Sequence, residues 1–160
     1  MSVQNYVISG SINSKLVRKF AKFVLKAKPE DHLRIIINSQ GGDEHCGRAI
    51  AGMIKSWPTT TTVGYGDIHS AAVAIFAAGK HRQLNKYAMI MVHESSMEVS
   101  GNASSIKDTA KQMEEDEKFW CQMMADFTGT DLKTWMKLHE DETYLKPEEA
   151  LKLNLATEII

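Results

Sequence analysis

The chain has 160 residues, of which 43% are hydrophobic and 24% are charged, and its formal net charge at pH 7 is −1. This profile is typical of one globular domain, expected here over residues 1–160, that buries a core without disulfides or metals. The balanced charge predicts no nucleic-acid partner, and the apolar runs are too short to predict a membrane span. With two cysteines, Cys46 and Cys121, and no signal-peptide pattern, we expect a cytoplasmic protein with reduced thiols.

The first half of the chain alternates between short apolar strands and amphipathic helices. Strands are expected over residues 6–10, 33–37 and 59–63, with a helix from Ser14 after the first and a helix past Gly42 after the second. This alternation is typical of βαβ units, in which the strands are parallel and their carboxyl ends meet at one edge of the sheet. Because α/β proteins bind ligands at that edge, the sequence predicts an α/β fold with its site there.

A lone serine, Ser70, separates the third strand from a run of small and apolar residues that ends at Gly79. The pattern predicts a strand, a tight turn and a buried helix, with Ser70 at the helix N-terminus. A nucleophile in that position could have its oxyanion stabilised by the N–H of Ala71. The alternative is that Ser70 only caps the helix, since serine is among the preferred capping residues.

Further residues at the same edge could complete such a site. Gly41 and Gly42 follow the second strand, where adjacent glycines allow a ligand to approach the backbone, although most such pairs only shape a loop. A turn is expected over residues 83–86, and the strand expected over 87–92 ends at His93. His93 could be structural, or it could take the serine proton while backbone N–H groups hold the oxyanion, as attack on an amide requires.

Six segments, in this order and at this spacing, resemble the proteolytic subunit of Clp protease. They are residues 37–42, 70–79, 91–93, 101–106, 128–129 and 148–150. The resemblance covers the chain from Tyr6 to Ile160 and implies the ClpP/crotonase-type α/β fold, a spiral of repeated β-β-α units with a projecting handle helix. It implies a serine endopeptidase, a hydrolase that cleaves peptides or unfolded proteins. No cofactor or metal ion is expected.

The resemblance assigns a role to each residue of the expected site. Ser70 matches the nucleophile and His93 matches the general base of the family. The N–H groups of Gly42 and Ala71 match the two donors of the oxyanion hole. These four residues and an acid would form the Ser-His-acid machinery of a serine peptidase.

The chain departs from the family pattern at several positions. The triad aspartate falls on Glu142, counted without gaps from residues 128–129, and Asp141 is the alternative if the loop shifts by one. The stretch before Ser70 is about two residues longer than in the family, and the glycine-rich substrate-binding strand is replaced by residues 95–100. The family sequence His-Gln-Pro reads His-Glu-Ser here.

The resemblance also implies an assembly. In the family the handle helix joins two heptameric rings, so we expect a homo-oligomer, up to a tetradecamer. On the handle expected over residues 106–127, Met113, Trp120 and Met124 would need a partner to bury them. An AAA+ unfoldase is a possible partner, although the first strand is expected near Tyr6 and the axial N-terminal segment of the family is expected to be missing.

Two alternatives stay open. The crotonase scaffold uses a similar pair of N–H groups to bind acyl-CoA thioesters, but that interpretation does not explain Ser70 together with His93. A catalytically silent ring subunit would explain Glu142 and the altered binding strand. The acidic run over residues 114–117 is more typical of a solvated helix face than of a metal site, because consecutive residues point in different directions.

Overall fold

The computed structural model describes residues 2–160, which form a mixed α/β structure around a seven-stranded sheet. The strands are β1 (Val3–Ser9), β2 (His32–Ser39), β3 (Thr60–His69), β4 (His81–Leu84), β5 (Met89–Val92), β6 (Thr143–Leu145) and β7 (Glu158–Ile159). The helices are α1 (Ser14–Lys26), α2 (Glu44–Ser56), α3 (Ala71–Ala77), α4 (Ala103–Thr128), α5 (Leu132–Glu140) and α6 (Pro147–Lys152). Within residues 2–160, no helix has the length and apolar character needed to span a bilayer.

Parallel pairing dominates the sheet, as the alternation of strands and helices predicts. β1, β2, β3 and β4 lie side by side in parallel, and β7 continues the sheet beyond β4. Leu33, Ile35 and Ile37 of β2 are fully buried at alternating positions, which fits a central strand with one face on the core. The carboxyl ends of β2 and β3 therefore lie at one edge, where the expected site is located.

β3 is longer than predicted because it continues through a bulge. Its first half pairs with β4, and its last three residues pair with β5, which also pairs with β6 in antiparallel fashion. In the pairing of β2 with β3, Ile37 lies opposite Gly64 and Ser39 lies opposite Ile68. A step of two residues along β2 therefore corresponds to a step of four residues along β3. β3 therefore carries two extra residues at this point, which accommodates the longer stretch before Ser70.

Asn38 stabilises the bulge from the neighbouring strand. Its Oδ1 atom accepts a hydrogen bond from the backbone N–H of Asp67 at 3.1 Å. Gly66 has φ +60°, and a Cβ atom at this position would lie 2.9 Å from the same Oδ1 atom. The bulge thus needs a glycine for both its backbone angle and its space.

α3 is the most buried helix of the fold, and every one of its residues is at most 3% exposed. Its small side chains allow α2 to approach so closely that a Cβ atom on Gly47 would lie 2.9 Å from the Ala71 carbonyl oxygen. At the other end, the Thr62 hydroxyl of β3 donates to the Phe76 carbonyl at 2.7 Å. These contacts fix the start of α3, and therefore Ser70, relative to the sheet.

α4 is the long helix that the resemblance predicts as a handle, and it has 26 residues. Its second half packs on the core, where Trp120 is 4% exposed and Met124 is fully buried. The expectation that these two side chains need a partner is wrong, because both lie in the core of the chain itself, where Trp135 of α5 contacts the Trp120 ring edge-to-face. Ile106 and Phe119 are the large apolar residues of α4 that remain exposed.

Some predicted element boundaries also differ. Asn13, and not Ser14, caps α1, because the Asn13 side chain accepts a backbone hydrogen bond at the helix start. The turn expected over residues 83–86 begins only at Asn85, since the two preceding residues complete β4. The following strand starts at Met89, two residues later than predicted.

Candidate active site

Ser70 lies in a sharp turn between β3 and α3. Its backbone angles, φ 54° and ψ −125°, fall in a region that residues other than glycine rarely adopt. The Ser70 N–H donates to the Met91 carbonyl at 2.8 Å, which ties the turn to β5. The side chain makes no capping hydrogen bond, so the interpretation of Ser70 as a mere helix cap is wrong. A serine on a strained strand-to-helix turn is the geometry of a nucleophile elbow.

The Gly41–Gly42 turn packs directly against Ser70. A Cβ atom on Gly41 would lie 2.8 Å from Ser70 Cβ and 3.2 Å from the Ala71 nitrogen. A Cβ atom on Gly42 would clash with the Ile12 carbonyl oxygen on the other side of the turn. Both glycines have positive φ, +96° and +145°. The pair is therefore needed to bring the end of β2 against the serine turn.

Two backbone N–H groups at this junction are free. The Gly41 N–H is used, since it donates to Ser39 Oγ at 3.1 Å. Within residues 2–160, the N–H groups of Gly42 and Ala71 donate no hydrogen bond to any protein acceptor. Unpaired N–H groups on both sides of a serine can hold the oxyanion of a tetrahedral intermediate.

Ser70, Ala71, Gly42 and His93 line one cavity of about 360 Å³. His93 is the first residue after β5, at the position that the sequence predicts, and it is half-buried. Across the described residues, no hydrogen bond joins the Ser70 hydroxyl to the His93 ring. The structure thus places four of the expected site residues in one cavity. In the described residues, the Ser70 hydroxyl and the His93 imidazole are not hydrogen-bonded to each other.

The two candidate triad acids, Glu142 and Asp141, lie less favourably for catalysis than the serine and the histidine. β5 and β6 pair with Val92 opposite Thr143, so Glu142 follows at the end of this ladder across from His93. Glu142 is exposed, has φ 46° and forms no ion pair with His93 in the part of the chain that the structure describes. Asp141 caps α5 through its N–H and is also exposed. Neither acid orients the imidazole in this conformation.

Comparison with known proteins identifies the family of the chain. The model of the Clp protease family matches residues 3–160. The chain belongs to the Clp protease family. It is 28% identical to ATP-dependent Clp protease proteolytic subunit 2 of Treponema denticola, with 99% of this chain and 82% of the relative aligned. It is 30% identical to proteolytic subunit 3 of Rhizobium etli, over 96% of this chain and 81% of the relative.

A solved structure shows the same fold. A mutant of ClpP1 from Listeria monocytogenes superimposes with a TM-score of 0.88 at 28% identity, covering 98% of this chain and 90% of that chain. The ClpP-type α/β fold expected from the sequence is therefore confirmed. The relatives are named as proteolytic subunits of an ATP-dependent protease, and the family supports a Clp protease-like function.

One buried residue of this site, His139 of α5, lies outside the six segments that carry the resemblance. It lines the same cavity as Ser70 and His93, is 6% exposed and stacks in a tilted arrangement on Trp120 at 5.2 Å. Burial, and after it the charge of the nearby His93, lowers the pKa of His139 to about 4, so the ring is neutral at pH 7. No sequence pattern predicts this residue as part of the site. The available signal was its position four residues after Trp135, on the apolar face of α5.

His69 directly precedes Ser70 because β3 carries two extra residues. It does not line the cavity that contains Ser70 and His93. Its Nε2 atom lies 3.6 Å from Asp67 Oδ1, and its ring contacts Tyr144 edge-on at 6.2 Å. It is absent from the described residues that line the cavity. The two-residue bulge therefore places this imidazole on the β6 side of the turn.

The segment that replaces the family's substrate-binding strand is irregular. Residues 93–100 form neither helix nor strand, and Ser96 and Met97 line the cavity. Ser95 Oγ donates to Glu44 Oε2 at 3.0 Å, which connects the segment to the start of α2. Met97 is 62% exposed, so the segment offers an apolar group at the cavity mouth.

Proposed function

We propose that the protein is a serine endopeptidase of the Clp type, with Ser70 as the nucleophile. The observation that carries this proposal is the pair of free N–H groups, of Gly42 and Ala71, on either side of a serine in a strained turn. The first N–H groups of any helix lack an intrahelical partner, so the Ala71 N–H gains its weight from the second free N–H, of Gly42, in the turn that packs against Ser70. The free pair is arranged for an acyl oxygen that becomes negatively charged.

In the proposed reaction, Ser70 Oγ attacks the carbonyl carbon of the scissile peptide bond. The His93 imidazole takes the hydroxyl proton and passes it to the leaving amine, and the two N–H groups stabilise the oxyanion. Water then attacks the acyl-enzyme in the same way, with His93 again as the base. The product acid leaves and the serine is regenerated.

The proposal requires His93 to approach Ser70 more closely than in this conformation. Catalytic hydrogen bonds are often long in enzymes without substrate and tighten when substrate binds. His93 is followed by the irregular segment over residues 94–100, so its backbone can adjust at small cost. We assign Glu142 as the residue that orients the imidazole, with Asp141 as the alternative.

We further propose that the subunit acts as a homo-oligomer, built as heptameric rings or a tetradecamer, on peptides or unfolded proteins. The relatives are named as subunits of an ATP-dependent protease, which supports an assembly and makes an AAA+ unfoldase the partner to test. Large apolar side chains are exposed at separate places on the surface, on β1, before β5 and along α4. They are Val3, Val7, Tyr87, Ile106 and Phe119.

A catalytically silent ring subunit is the second candidate. The observation that favours it is the lack of contact between the site groups. Within residues 2–160, no hydrogen bond joins His93 to Ser70 or to either candidate acid. The crotonase-type alternative gains no such support, since nothing but the shared pair of N–H groups suggests it.

Labelling with a fluorophosphonate separates the two candidates. The reagent phosphonylates a serine that a neighbouring base activates and an oxyanion hole assists, so the proposal predicts one label per subunit, on Ser70, identified by mass spectrometry. Ser96→Ala changes a serine that lines the same cavity and serves as the control that should still be labelled. Absence of label on the folded, assembled protein would favour the silent subunit.

A further inference from the structure

Three potential metal ligands converge behind the active-site cavity, each from a different element. They are Glu94 from the segment after β5, Glu117 from α4 and His139 from α5. One carboxylate oxygen of each glutamate and one imidazole nitrogen lie within 4.8 Å of one another. Of the acidic run, Glu117 is the described residue whose carboxylate joins the cluster, and Glu114, one helical turn earlier, lines a second cavity together with Glu117.

His139 is the most buried member of this cluster. The residue is 6% exposed, and its ring makes no hydrogen bond with any residue over 2–160. This second cavity, of about 200 Å³, is lined by His139, Glu94 and Glu117. The enclosed unpaired side-chain atoms of residues 2–160 are Glu44 Oε1 and His69 Nε2, so the His139 nitrogens are reached from the cavities that the ring lines and are open to a ligand there.

The two carboxylates lie together without a salt-bridge partner in the described residues, although Lys118 lines the same second cavity. Neither Glu94 nor Glu117 forms an ion pair within residues 2–160. Two adjacent carboxylates beside an imidazole are a common environment for a cation.

We propose that Glu94, Glu117 and His139 form a binding site for one divalent transition-metal ion, and that Zn²⁺ fits it best. Zn²⁺ binds imidazole nitrogen and carboxylate oxygen, and with three protein ligands, as in open zinc sites, a water completes its tetrahedral coordination. Mg²⁺ and Ca²⁺ prefer sites made of oxygen ligands, so an imidazole ligand disfavours them. The ion would be structural for the segment after β5, because it would connect that segment to α4 and α5.

This connection has a local consequence. Glu94 is adjacent to His93, and Ser96 and Met97 of the same segment line the cavity that holds Ser70. A bound ion would restrain the segment over residues 93–97 on α4 and α5. The site does not depend on the proposed peptidase activity, since its ligands and its test are separate from hydrolysis.

The experiment is equilibrium Zn²⁺ binding to the metal-free full-length protein, measured by competition with a chromophoric chelator. We expect one ion per subunit, and we expect binding at least about 10–100-fold weaker in Glu94→Gln and Glu117→Gln, since even groups behind a metal ligand contribute that much. These two variants keep the side-chain shape and leave buried His139 in place. Glu115→Gln is the control on the same helix, because Glu115 is exposed and outside the cluster, and should bind as the unaltered protein does.

Two further readouts complete the test. Co²⁺ should bind at the same site and give visible absorption typical of nitrogen and oxygen ligands, which Glu117→Gln should weaken. Amide hydrogen exchange over residues 93–97 should slow when Zn²⁺ is added, and the slowing should disappear in Glu94→Gln. The proposal is overturned if the folded protein does not bind Zn²⁺ at millimolar concentrations, or if both glutamine variants bind it as tightly as the Glu115→Gln control.

Discussion

The backbone of Ser70 is held in a conformation that costs on the order of 1–3 kcal/mol in a non-glycine residue. The cost is offset by hydrogen bonds on both sides, from the Ser70 N–H to the Met91 carbonyl at 2.8 Å and from the Val73 N–H to the Ser70 carbonyl at 2.9 Å. The result is a hydroxyl that does not cap its helix and two N–H groups that remain free. Strain at this residue therefore coincides with the groups that the proposed chemistry uses.

The acid that orients His93 is the first prediction at this scale. Glu142→Gln should lower kcat by up to about 10⁴-fold and leave KM nearly unchanged, because the orienting acid acts on the base and not on substrate binding. Asp141→Asn is the matched change one residue earlier and should have little effect. Steady-state hydrolysis of a fluorogenic peptide measures both. The opposite pattern would move the role to Asp141, and two active variants would reduce the site to a Ser-His dyad.

Asp31 provides a pH-dependent contribution to stability. Backbone N–H groups of Ser2 and Lys28 donate to its carboxylate at 3.0 and 3.1 Å. These hydrogen bonds, with the Ser2 hydroxyl, lower the pKa of Asp31 from 3.8 to about 2. The unfolded carboxyl group takes up its proton at the higher pH, so this stabilisation is present above about pH 4 and is lost between pH 4 and pH 2.

The measurement is chemical unfolding of the protein and of Asp31→Asn from pH 6 to pH 2. The difference in unfolding free energy between the two should be constant above pH 4 and should shrink towards pH 2. Glu30→Gln is the control, since Glu30 is the exposed neighbour. A difference that does not depend on pH would show that the Asp31 carboxylate is not hydrogen-bonded as described.

At the scale of elements, the site depends on how closely α2 and α3 approach. Gly47 and Gly52 both lie in α2, but a Cβ atom on Gly47 would be 2.9 Å from the Ala71 carbonyl oxygen, whereas nothing lies within 4 Å of one on Gly52. Alanine in place of either glycine gains about 0.5–1 kcal/mol from the backbone. Only Gly47→Ala also forces the two helices apart.

We expect Gly52→Ala to stabilise the protein by about 0.5–1 kcal/mol and Gly47→Ala to be about 1–3 kcal/mol less stable than Gly52→Ala. Because Ala71 carries one of the proposed oxyanion donors, Gly47→Ala should also lower peptide hydrolysis. Urea unfolding and the peptide assay measure the two effects. Equal stability of the two variants would contradict the close contact between α2 and α3.

The elements also show what the sequence can and cannot predict. The apolar run over residues 33–37 predicts β2 as a buried parallel strand, and the lone serine before a run of small residues predicts the turn into α3. The burial of Trp120 and Met124 could not be predicted, because it depends on α5 folding back over α4. His139 was missed for the same reason: its position in α5 gives no sign of the cavity that it reaches.

The sequence predicts some positions of the candidate site better than others. The positions of Ser70, Gly42 and Ala71 follow from local turns, whose glycines and small residues are visible in the sequence. The distances from His93 to the serine and to an acid depend on an irregular segment and an exposed loop, which no periodic pattern specifies. The roles of His93 and the acid come from the resemblance to the Clp family. Within residues 2–160, His93 is hydrogen-bonded neither to Ser70 nor to an acid.

At the scale of the whole molecule, we expect an oligomer. Although Trp120 and Met124 are buried within the chain, Phe119 is 59% exposed, Tyr87 is 81% exposed and Val7 on the edge strand β1 is 61% exposed. Apolar groups of this size at several places favour contacts with further copies. Light scattering at micromolar concentration should give a mass several times that of one chain. A mass of one chain would contradict the proposed ring assembly.

The central claim is that Ser70 is the nucleophile of a peptidase, and hydrolysis of a small peptide ester by the assembled protein tests it most directly. Ser70→Ala should lower kcat by up to about 10⁶-fold while circular dichroism shows a folded protein, because the residue lies at the end of an element and outside the core. Ser96→Ala, at the wall of the same cavity, should retain activity. Normal ester hydrolysis by Ser70→Ala would contradict the account.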